Sequence, residues 1–271
     1  MTTDTPPPRR KWHFNRWLIV LTAAALGWGG WEAYAFRSAL AEAKALGWAV
    51  QYTDPAEEIR ANWKAAFKKE TWLDGVTRVY IRTGEEFEQN LAIVHRLNPL
   101  SLGIDKAPSL RDLSALEALT RLQVISIFGG GTHLTNVDAL KNFSALQRIY
   151  LVDCTGLTNL PPLKNLSALQ AVYLVGCTGL TDLDAFKDIS ALKLVDLRNC
   201  TGLTNLDGLR NHSALEVADI RGCTGLPNVN VLMNLSALQS IWLHRCTGLT
   251  KESVAALKAA LPKATIHSDY K

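Results

Sequence analysis

A repeat of 23 residues constrains the fold of this chain more than any other feature of its sequence. Five copies begin with Cys-Thr-Gly-Leu, and their cysteines are Cys154, Cys177, Cys200, Cys223 and Cys246. Ser-Ala-Leu triplets keep the same period and begin at Ser144, Ser167, Ser190, Ser213 and Ser236. A fixed period of this length predicts a solenoid, in which each unit buries its apolar side only against neighbouring units.

Each unit divides into two halves with different apolar spacing. From Leu157 to Leu169 apolar residues recur at every third position, which suits 3₁₀-like turns better than an α-helix with 3.6 residues per turn. Residues 170–174 then alternate between inward and outward positions, as in a strand. The unit is therefore predicted to be a short strand, a loop and a tight helical return.

The same pattern predicts the positions of the strands and of the two ends of the array. Strands are expected near residues 101, 126, 150, 173, 196, 219, 242 and 266. Residues 129–131 are three glycines that stand at the cysteine position, with one residue inserted. A strand over 76–81 with a helix over 84–97 fits an N-terminal cap, and Val254, Leu257 and Leu261 fit a final capping helix.

The pattern L-x-x-L-x-x-L-x-x-L-x-x-V-x-L-x-x-C resembles the leucine-rich repeat, most nearly the short internalin-like bacterial type, over roughly residues 97–267. The resemblance implies an α/β solenoid with a curved parallel sheet on its concave face and 3₁₀ or short helical turns on its convex face. It also implies a protein that binds other proteins. Two features depart from the family: Cys replaces the usual Asn, and Thr-Gly lengthens the link to the next leucine by one residue.

Residues 17–36 form an apolar stretch with one charge, Glu32, near its end. Twenty helical residues rise about 30 Å, the thickness of a hydrocarbon core. Four basic residues precede the stretch and favour a cytoplasmic N-terminus, with the repeats periplasmic or extracellular; they are Arg9, Arg10, Lys11 and Arg16. A signal peptide cleaved near Ala33-Tyr34-Ala35 and a buried helix of a soluble protein remain alternatives to this single-pass transmembrane signal anchor.

These features predict five segments along the chain. They are a basic cytoplasmic tail (1–16), a transmembrane anchor (17–36), a helical connector with the N-terminal cap (37–97), the repeats (98–250) and a C-terminal cap (251–271). Within the connector, residues 37–74 look helical, and Asp54 suits the N-cap of a helix that starts at Pro55. That helix is expected to pack on the first coil, with a partner-binding or membrane-surface role as the alternative.

The five cysteines are predicted to form a buried column of free thiols. Equivalent residues of neighbouring coils lie about 4.8 Å apart with parallel Cα–Cβ directions, whereas a disulfide brings its Cβ atoms to about 3.8 Å. A straight column also cannot surround a metal ion tetrahedrally, so neither a metal nor another cofactor is expected.

No motif for catalysis or nucleic-acid binding stands out in the sequence. The glycines at 129–131 lack the Lys-Ser/Thr of a phosphate loop, and neither G-x-S-x-G nor H-E-x-x-H occurs. The formal net charge of +4, from 29 basic and 25 acidic residues, gives no electrostatic case for nucleic acid. The chain is therefore predicted not to be an enzyme.

Two further positions repeat on the predicted convex side. A basic stripe consists of Lys141, Lys164, Lys187 and Arg210, and is interpreted as a solvated face, with an acidic partner or lipid headgroups as the alternative. His212 takes a position that other units fill with phenylalanine, leucine or isoleucine. A partly buried, hydrogen-bonded histidine is expected there rather than a ligand.

Outward strand positions vary between repeats, so the concave face is where a site is expected. One predicted column reads Ser101, Ser126, Tyr150, Tyr173, Asp196, Asp219 and Trp242. The next reads Gly103, Phe128, Val152, Val175, Arg198, Arg221 and His244. The candidate partner-binding residues are Tyr150, Tyr173, Asp196, Arg198, Asp219, Arg221, Trp242 and His244. Exposed aromatics beside arginine are enriched in binding hot spots, although Asp–Arg pairs that only satisfy one another are the alternative.

The sequence thus predicts a membrane-anchored scaffold that binds a protein or peptide through its concave face. Two alternatives stay open. The repeats could serve as a structural spacer that organises the cell envelope, or the exposed tyrosine and tryptophan rings could stack on carbohydrate of the cell wall.

Overall fold

The computed structural model describes residues 38–52 and 76–270, and within these residues ten strands form one sheet in chain order. The strands are β1 (Ala49–Tyr52), β2 (Val76–Ile81), β3 (Ser101–Ile104), β4 (Val124–Phe128), β5 (Arg148–Val152), β6 (Ala171–Tyr173), β7 (Leu194–Asp196), β8 (Val217–Asp219), β9 (Ser240–Trp242) and β10 (Thr265–His267). β1 runs antiparallel to β2, and all later neighbours are parallel. One parallel strand per repeat confirms the predicted solenoid and all eight predicted strand positions.

The core of each coil lies between its strand and its return segment. Val172 and Leu174 point inward from one strand and are fully buried, as are Leu163, Leu166 and Leu169 from the return of the same coil. The period of three therefore places one leucine per turn of the return against the sheet. Because neighbouring coils share this core, each coil depends on the two beside it.

Short 3₁₀ helices form most of the returns, as the period of three predicts. They span Ser114–Leu116, Asp138–Asn142, Asp184–Phe186, Asp207–Leu209 and Asn230–Asn234. Each starts where an Asp or Asn side-chain oxygen accepts a hydrogen bond from the backbone N–H two residues later, as in Asp182 to Asp184 at 3.0 Å.

The return of the coil over 157–169 lacks this helix, although the structure describes all of it. Pro161 stands where the other coils supply the bonded N–H, and proline has none. Pro162 also restricts Pro161 to an extended conformation. The N–H of Leu163 donates instead to the carbonyl of Ala185 in the next coil, at 3.1 Å.

The glycine of each Thr-Gly-Leu link is required by the close stacking of the coils. A Cβ atom on Gly202 would lie 2.4 Å from the carbonyl oxygen of Thr178, and one on Gly156 would lie 2.2 Å from that of Thr132. Both distances are too short for any side chain. The longer link noted in the sequence thus lets the backbones of neighbouring coils pass in contact.

The N-terminal region differs from the prediction that residues 37–74 are helical. A helix, α1, covers residues 38–45, but Gly47 then takes a φ of +72° and the chain forms β1. This strand pairs with β2, whose outer edge would otherwise be open. An ion pair between Glu42 and Arg96, at 2.6 Å, fastens α1 to the cap. The predicted helix start at Asp54 lies outside the described residues.

The predicted helix over 84–97 is present as two shorter helices, α2 (Gly84–Gln89) and α3 (Leu91–Leu97). Asn90 separates them with a non-helical φ of −121°, and its side-chain amide donates to the carbonyl of Glu86 at 2.9 Å. The apolar side of the pair is nevertheless buried, including Phe87 and Val94. The amphipathic pattern therefore predicted the buried side correctly and missed the break.

The C-terminal helix α4 (Lys251–Ala260) confirms the predicted cap. It begins with a capping box between Thr250 and Ser253, and Val254 and Leu257 pack on the last coil.

In the part of the chain that the structure describes, no helix is both long and apolar enough to cross a membrane. The predicted anchor over 17–36 and the basic tail before it lie outside that part.

Candidate binding surface on the outer face of the sheet

The central column of the outer sheet face runs through nine strands. It consists of Tyr80, Gly103, Ser126, Tyr150, Tyr173, Asp196, Asp219, Trp242 and His267. The sequence placed Ser101 in this column, which is wrong, because Ser101 pairs with Val124 and Gly103 with Ser126. The inserted residue lies after β4, as predicted, so Gly103 and Ser126 keep the 23-residue spacing and the predicted register of β3 was two residues out.

Tyr80 is the residue at the N-terminal end of the central column. A Cβ atom on Gly103 would lie 2.7 Å from Cδ2 of Tyr80, so the ring lies directly over the glycine. Burial and the nearby carboxylate of Asp105 raise the pKa of Tyr80. Sequence reasoning missed Tyr80, since it precedes the recognisable repeats.

Two tyrosines form the first aromatic pair of the column. The rings of Tyr150 and Tyr173 stack with centroids 4.3 Å apart and planes 7° from parallel. Both side chains are half-buried, and burial raises the pKa of Tyr173. Since the rings face each other along the solenoid axis, they present mainly their edges to solvent.

The two aspartates of the column are buried and paired with arginine, as in the alternative that the sequence left open. Asp196 and Asp219 are 7% and 8% exposed. Nε and Nη2 of Arg198 bind the carboxylate of Asp196 at 2.8 to 3.1 Å, and Arg221 binds Asp219 in the same way. This two-point geometry is the strong form of a charged hydrogen bond. Each arginine therefore covers the acid of its own strand.

A second aromatic pair lies at the C-terminal end of the column. Trp242 stacks on His267 with ring centroids 5.4 Å apart and planes 8° from parallel. His244 lies two residues beyond Trp242 and is half-buried. His267 was missed because β10 lies beyond the last Cys-Thr-Gly-Leu unit.

Half-buried apolar side chains flank the central column. Val124, Leu194 and Val217 lie on the side where the strands begin, and Phe128, Val152 and Val175 lie on the other. The sheet ladder continues past the strand ends on that second side, for example from the N–H of Gly176 to the carbonyl of Arg198 at 2.8 Å. The structure thus brings the predicted aromatic and charged residues onto one surface with an apolar border.

The five repeat cysteines are free and buried in the structure. The thiols of Cys200 and Cys223 donate to the carbonyls of Leu174 and Leu197 of the preceding coil, at 2.8 and 3.0 Å. Gly130 takes the cysteine position of the earlier coil and lies against the sulfur of Cys154. The column therefore links consecutive coils.

The opposite side of the solenoid holds the basic stripe and His212. All four stripe residues are exposed, and Lys187 and Arg210 pair with Asp184 and Asp207 at 2.9 and 2.8 Å. His212 is 1% exposed, and its ring lies close to the backbone carbonyls of Leu209 and Phe186 without a hydrogen bond of ordinary geometry. The expected hydrogen bond is therefore not well formed, and burial lowers the pKa of this imidazole.

Among the described residues, no cluster of three or more His, Cys, Asp or Glu side chains could hold a metal ion.

Comparison with known proteins supports the fold. No family model matches the chain, and no curated protein matches it significantly. Internalin C2 from Listeria monocytogenes is similar in structure, with 19% identity, coverage of 73% of this chain and 82% of that chain, and a TM-score of 0.54. The chain therefore has the fold of a leucine-rich-repeat protein.

Two other solved structures are more distant. The leucine-rich-repeat domain of the type III effector XopL has 18% identity over 65% of this chain and 70% of its own, with a TM-score of 0.45. Rad7, solved in a complex with Elc1 in yeast, has 20% identity over 70% of this chain and 62% of its own, with a TM-score of 0.39.

Proposed function

We propose that this protein is a membrane-anchored scaffold that binds a protein or peptide partner through the outer face of its sheet. The observation that carries the proposal is the central column, in which two aromatic pairs lie on outward positions that a solvated sheet does not need to fill with large rings. Half-buried valines and leucines surround them. Aromatic anchors within an apolar border, beside arginine, are the features of protein-binding hot spots.

The stacked rings favour a protein partner over a sugar. A sugar ring stacks on an open aromatic face, whereas Tyr150 and Tyr173 use one face each on the other. Trp242 and His267 do the same. The edges and the adjoining valines suit apolar side chains of a protein better.

The partner-binding role is tested by removing two rings from the full-length chain. We expect the double variant Y173A/W242A to fold normally and to lose at least tenfold in partner capture, since truncating hot-spot aromatics costs about 2 kcal/mol or more. Capture is measured by crosslinking pull-down from cell-envelope extracts. The control K164E/K187E changes the opposite side and is expected to bind normally. The reverse result would place the site on that side.

Two other outcomes would support the alternative functions. Sedimentation of the protein with purified cell wall, lost in Y173A/W242A, would indicate carbohydrate binding. Normal capture of every partner by both variants would leave the spacer role.

The proposed location rests on the order of charge and hydrophobicity at the N-terminus. Arg9, Arg10, Lys11 and Arg16 precede the apolar segment 17–36, which favours a cytoplasmic tail and repeats outside the membrane. A reporter that is active only outside the cytoplasm should be active when fused after Lys271. Activity of a cytoplasm-restricted reporter at the same position would refute the proposed topology.

A further inference from the structure

The middle of the central column offers positive charge, although it contains two acids. The side chains of Asp196 and Asp219 are 9% and 12% exposed, whereas those of Arg198 and Arg221 are 43% and 42% exposed. Each carboxylate lies beneath the guanidinium that binds it. A partner that approaches this surface therefore meets two guanidinium groups before it reaches the largely covered carboxylates.

Both guanidinium groups keep donors for a partner. Each uses its Nε–H and one Nη2–H on its own aspartate, and a guanidinium has five N–H donors, so three remain. Arg198 and Arg221 stand two residues beyond the ends of neighbouring strands, whose backbones are about 4.8 Å apart. Hydrogen bonds to the aspartates raise the pKa of both arginines, so they stay charged. Two such groups side by side suit one carboxylate.

Apolar anchors flank this pair at equal distances. Tyr173 lies one strand before Asp196, and Trp242 lies one strand after Asp219. Three strand spacings separate the two rings, which is about 14 Å. An extended peptide rises about 3.3 Å per residue, so four residues span this distance and every second side chain points to the same side.

We propose that the partner of this surface presents an extended acidic segment, in which two apolar residues four positions apart flank a central Glu or Asp. The apolar side chains contact Tyr173 and Trp242, and the carboxylate lies between Arg198 and Arg221. This inference rests on the proposed function and specifies the chemistry of the partner. A nucleic acid fits less well, because binding a phosphate chain takes several cations along its length, and the middle of this column offers two.

The test uses fluorescein-labelled peptides with the core Phe-Ser-Glu-Ser-Leu, and matched peptides in which the Glu is Gln or Lys. Binding to the full-length protein in mild detergent is measured by fluorescence anisotropy. We expect the Glu peptide to bind at least tenfold more tightly than the Gln peptide at low salt, and the Lys peptide to bind least. Equal affinities, or no binding of any peptide, would overturn the inference.

A protein variant tests whether Arg198 and Arg221 cause the preference for the Glu peptide. The substitutions D196N, R198Q, D219N and R221Q together remove the cations without leaving a buried carboxylate unpaired, and should abolish the preference for Glu. The matched control D184N/K187Q/D207N/R210Q removes two ion pairs from the opposite side and should keep it. A preference that survives the first set would show that these arginines do not read the carboxylate. If that variant does not fold, the affinities of the three peptides for the unmodified protein still test the inference.

Two further measurements separate this inference from the proposed function. Y173A/W242A should weaken the Glu and Gln peptides alike, because both share the apolar anchors. Loss of partner capture in Y173A/W242A without any preference for Glu would overturn the acidic segment alone and keep the scaffold. Tight binding of a single-stranded oligonucleotide that depends on Arg198 and Arg221 would instead replace the acidic peptide by a nucleic acid.

Discussion

His212 shows how one residue departs from the repeat while keeping its place in the core. It fills a position held by Ile189 and Leu235 in neighbouring coils, yet it is polar, fully buried and without a hydrogen bond of ordinary geometry. Burying an imidazole in this way disfavours its charged form, and the pKa is lowered for that reason. The coil therefore accepts a neutral histidine at a cost that leucine would not carry.

The lowered pKa of His212 predicts a pH-dependent stability. At pH values above the unfolded pKa of about 6.5 both states are neutral, and as the pH falls below it only the unfolded state takes up the proton. The free energy of unfolding should then fall by at most about 1.4 kcal/mol per pH unit, until the folded pKa is reached. H212L should remove this loss, so that its advantage in thermal midpoint grows between pH 7.5 and pH 5.5.

The control for His212 is the exposed His133, whose variant H133Q should track the unmodified protein over the same pH range. Parallel stability curves for H212L and the unmodified protein would show that His212 does not titrate on unfolding.

The cysteine column predicts thiols that do not react in the folded protein. Burial raises the pKa of Cys223 to about 12 and that of Cys246 to about 11, so the reactive thiolate is scarce at neutral pH. Maleimide at pH 7 should label these cysteines only after denaturation, as measured by mass spectrometry. T224C, which adds an exposed thiol beside the column, should react at once. Rapid labelling of the native column would show that the coils open.

The repeat period predicted which residues lie on the outer face of the sheet, but not how deeply each of them is buried. Tyr150, Tyr173 and Trp242 were predictable, because outward positions follow from the strand alternation. The burial of Asp196 and Asp219 was not, since it depends on how far a neighbouring arginine folds back, which no spacing encodes. The register of β3 could have been predicted and was missed, because Ser126 stands 23 residues after Gly103 but 25 after Ser101.

At the scale of elements, strands were the most predictable part, because each repeats the same burial pattern and must pair with the strand before it. The elements outside the repeats were less predictable from the sequence. β1 formed where the sequence suggested helix, since pairing with the edge of β2 outweighs local propensity. The helix over 84–97 broke at Asn90 through a side-chain contact that apolar spacing does not record.

A cavity inside one coil should weaken the whole stack. Leu192 is fully buried, and L192A should lower the free energy of unfolding by about 2–5 kcal/mol, as measured by urea denaturation. The matched control L160A shortens a leucine that is only half-buried and should cost less. Because coils are stabilised through their neighbours, amide exchange should also increase in the coils on both sides of Leu192. An unchanged unfolding curve would contradict the assigned packing.

The whole molecule is a stack with unlike ends. An antiparallel strand, β1, covers the first parallel strand, and α4 packs against the last return. Between these caps, each Cys-Thr-Gly-Leu unit meets the coil before it through the same glycine contact. From Cys177 onward, each unit also makes the same thiol bond to that coil. The two aromatic pairs and the arginines between them span strands that the interior coils hold in register.

Because these coils contact one another in the same way, the number of coils can change without altering the contacts between them. Removing residues 178–200 joins Cys177 to Thr201, and the thiol of Cys223 then faces the carbonyl of Leu174, which Cys200 uses now. We expect this deletion to fold cooperatively with a sheet one strand shorter, as judged by circular dichroism and thermal unfolding, whereas a deletion three residues shorter should not. Gain or loss of a whole 23-residue repeat should therefore lengthen or shorten the protein while each remaining coil keeps its contacts. The span between the two aromatic pairs would change by one strand spacing at each such event, so new partner lengths become accessible to selection in fixed steps.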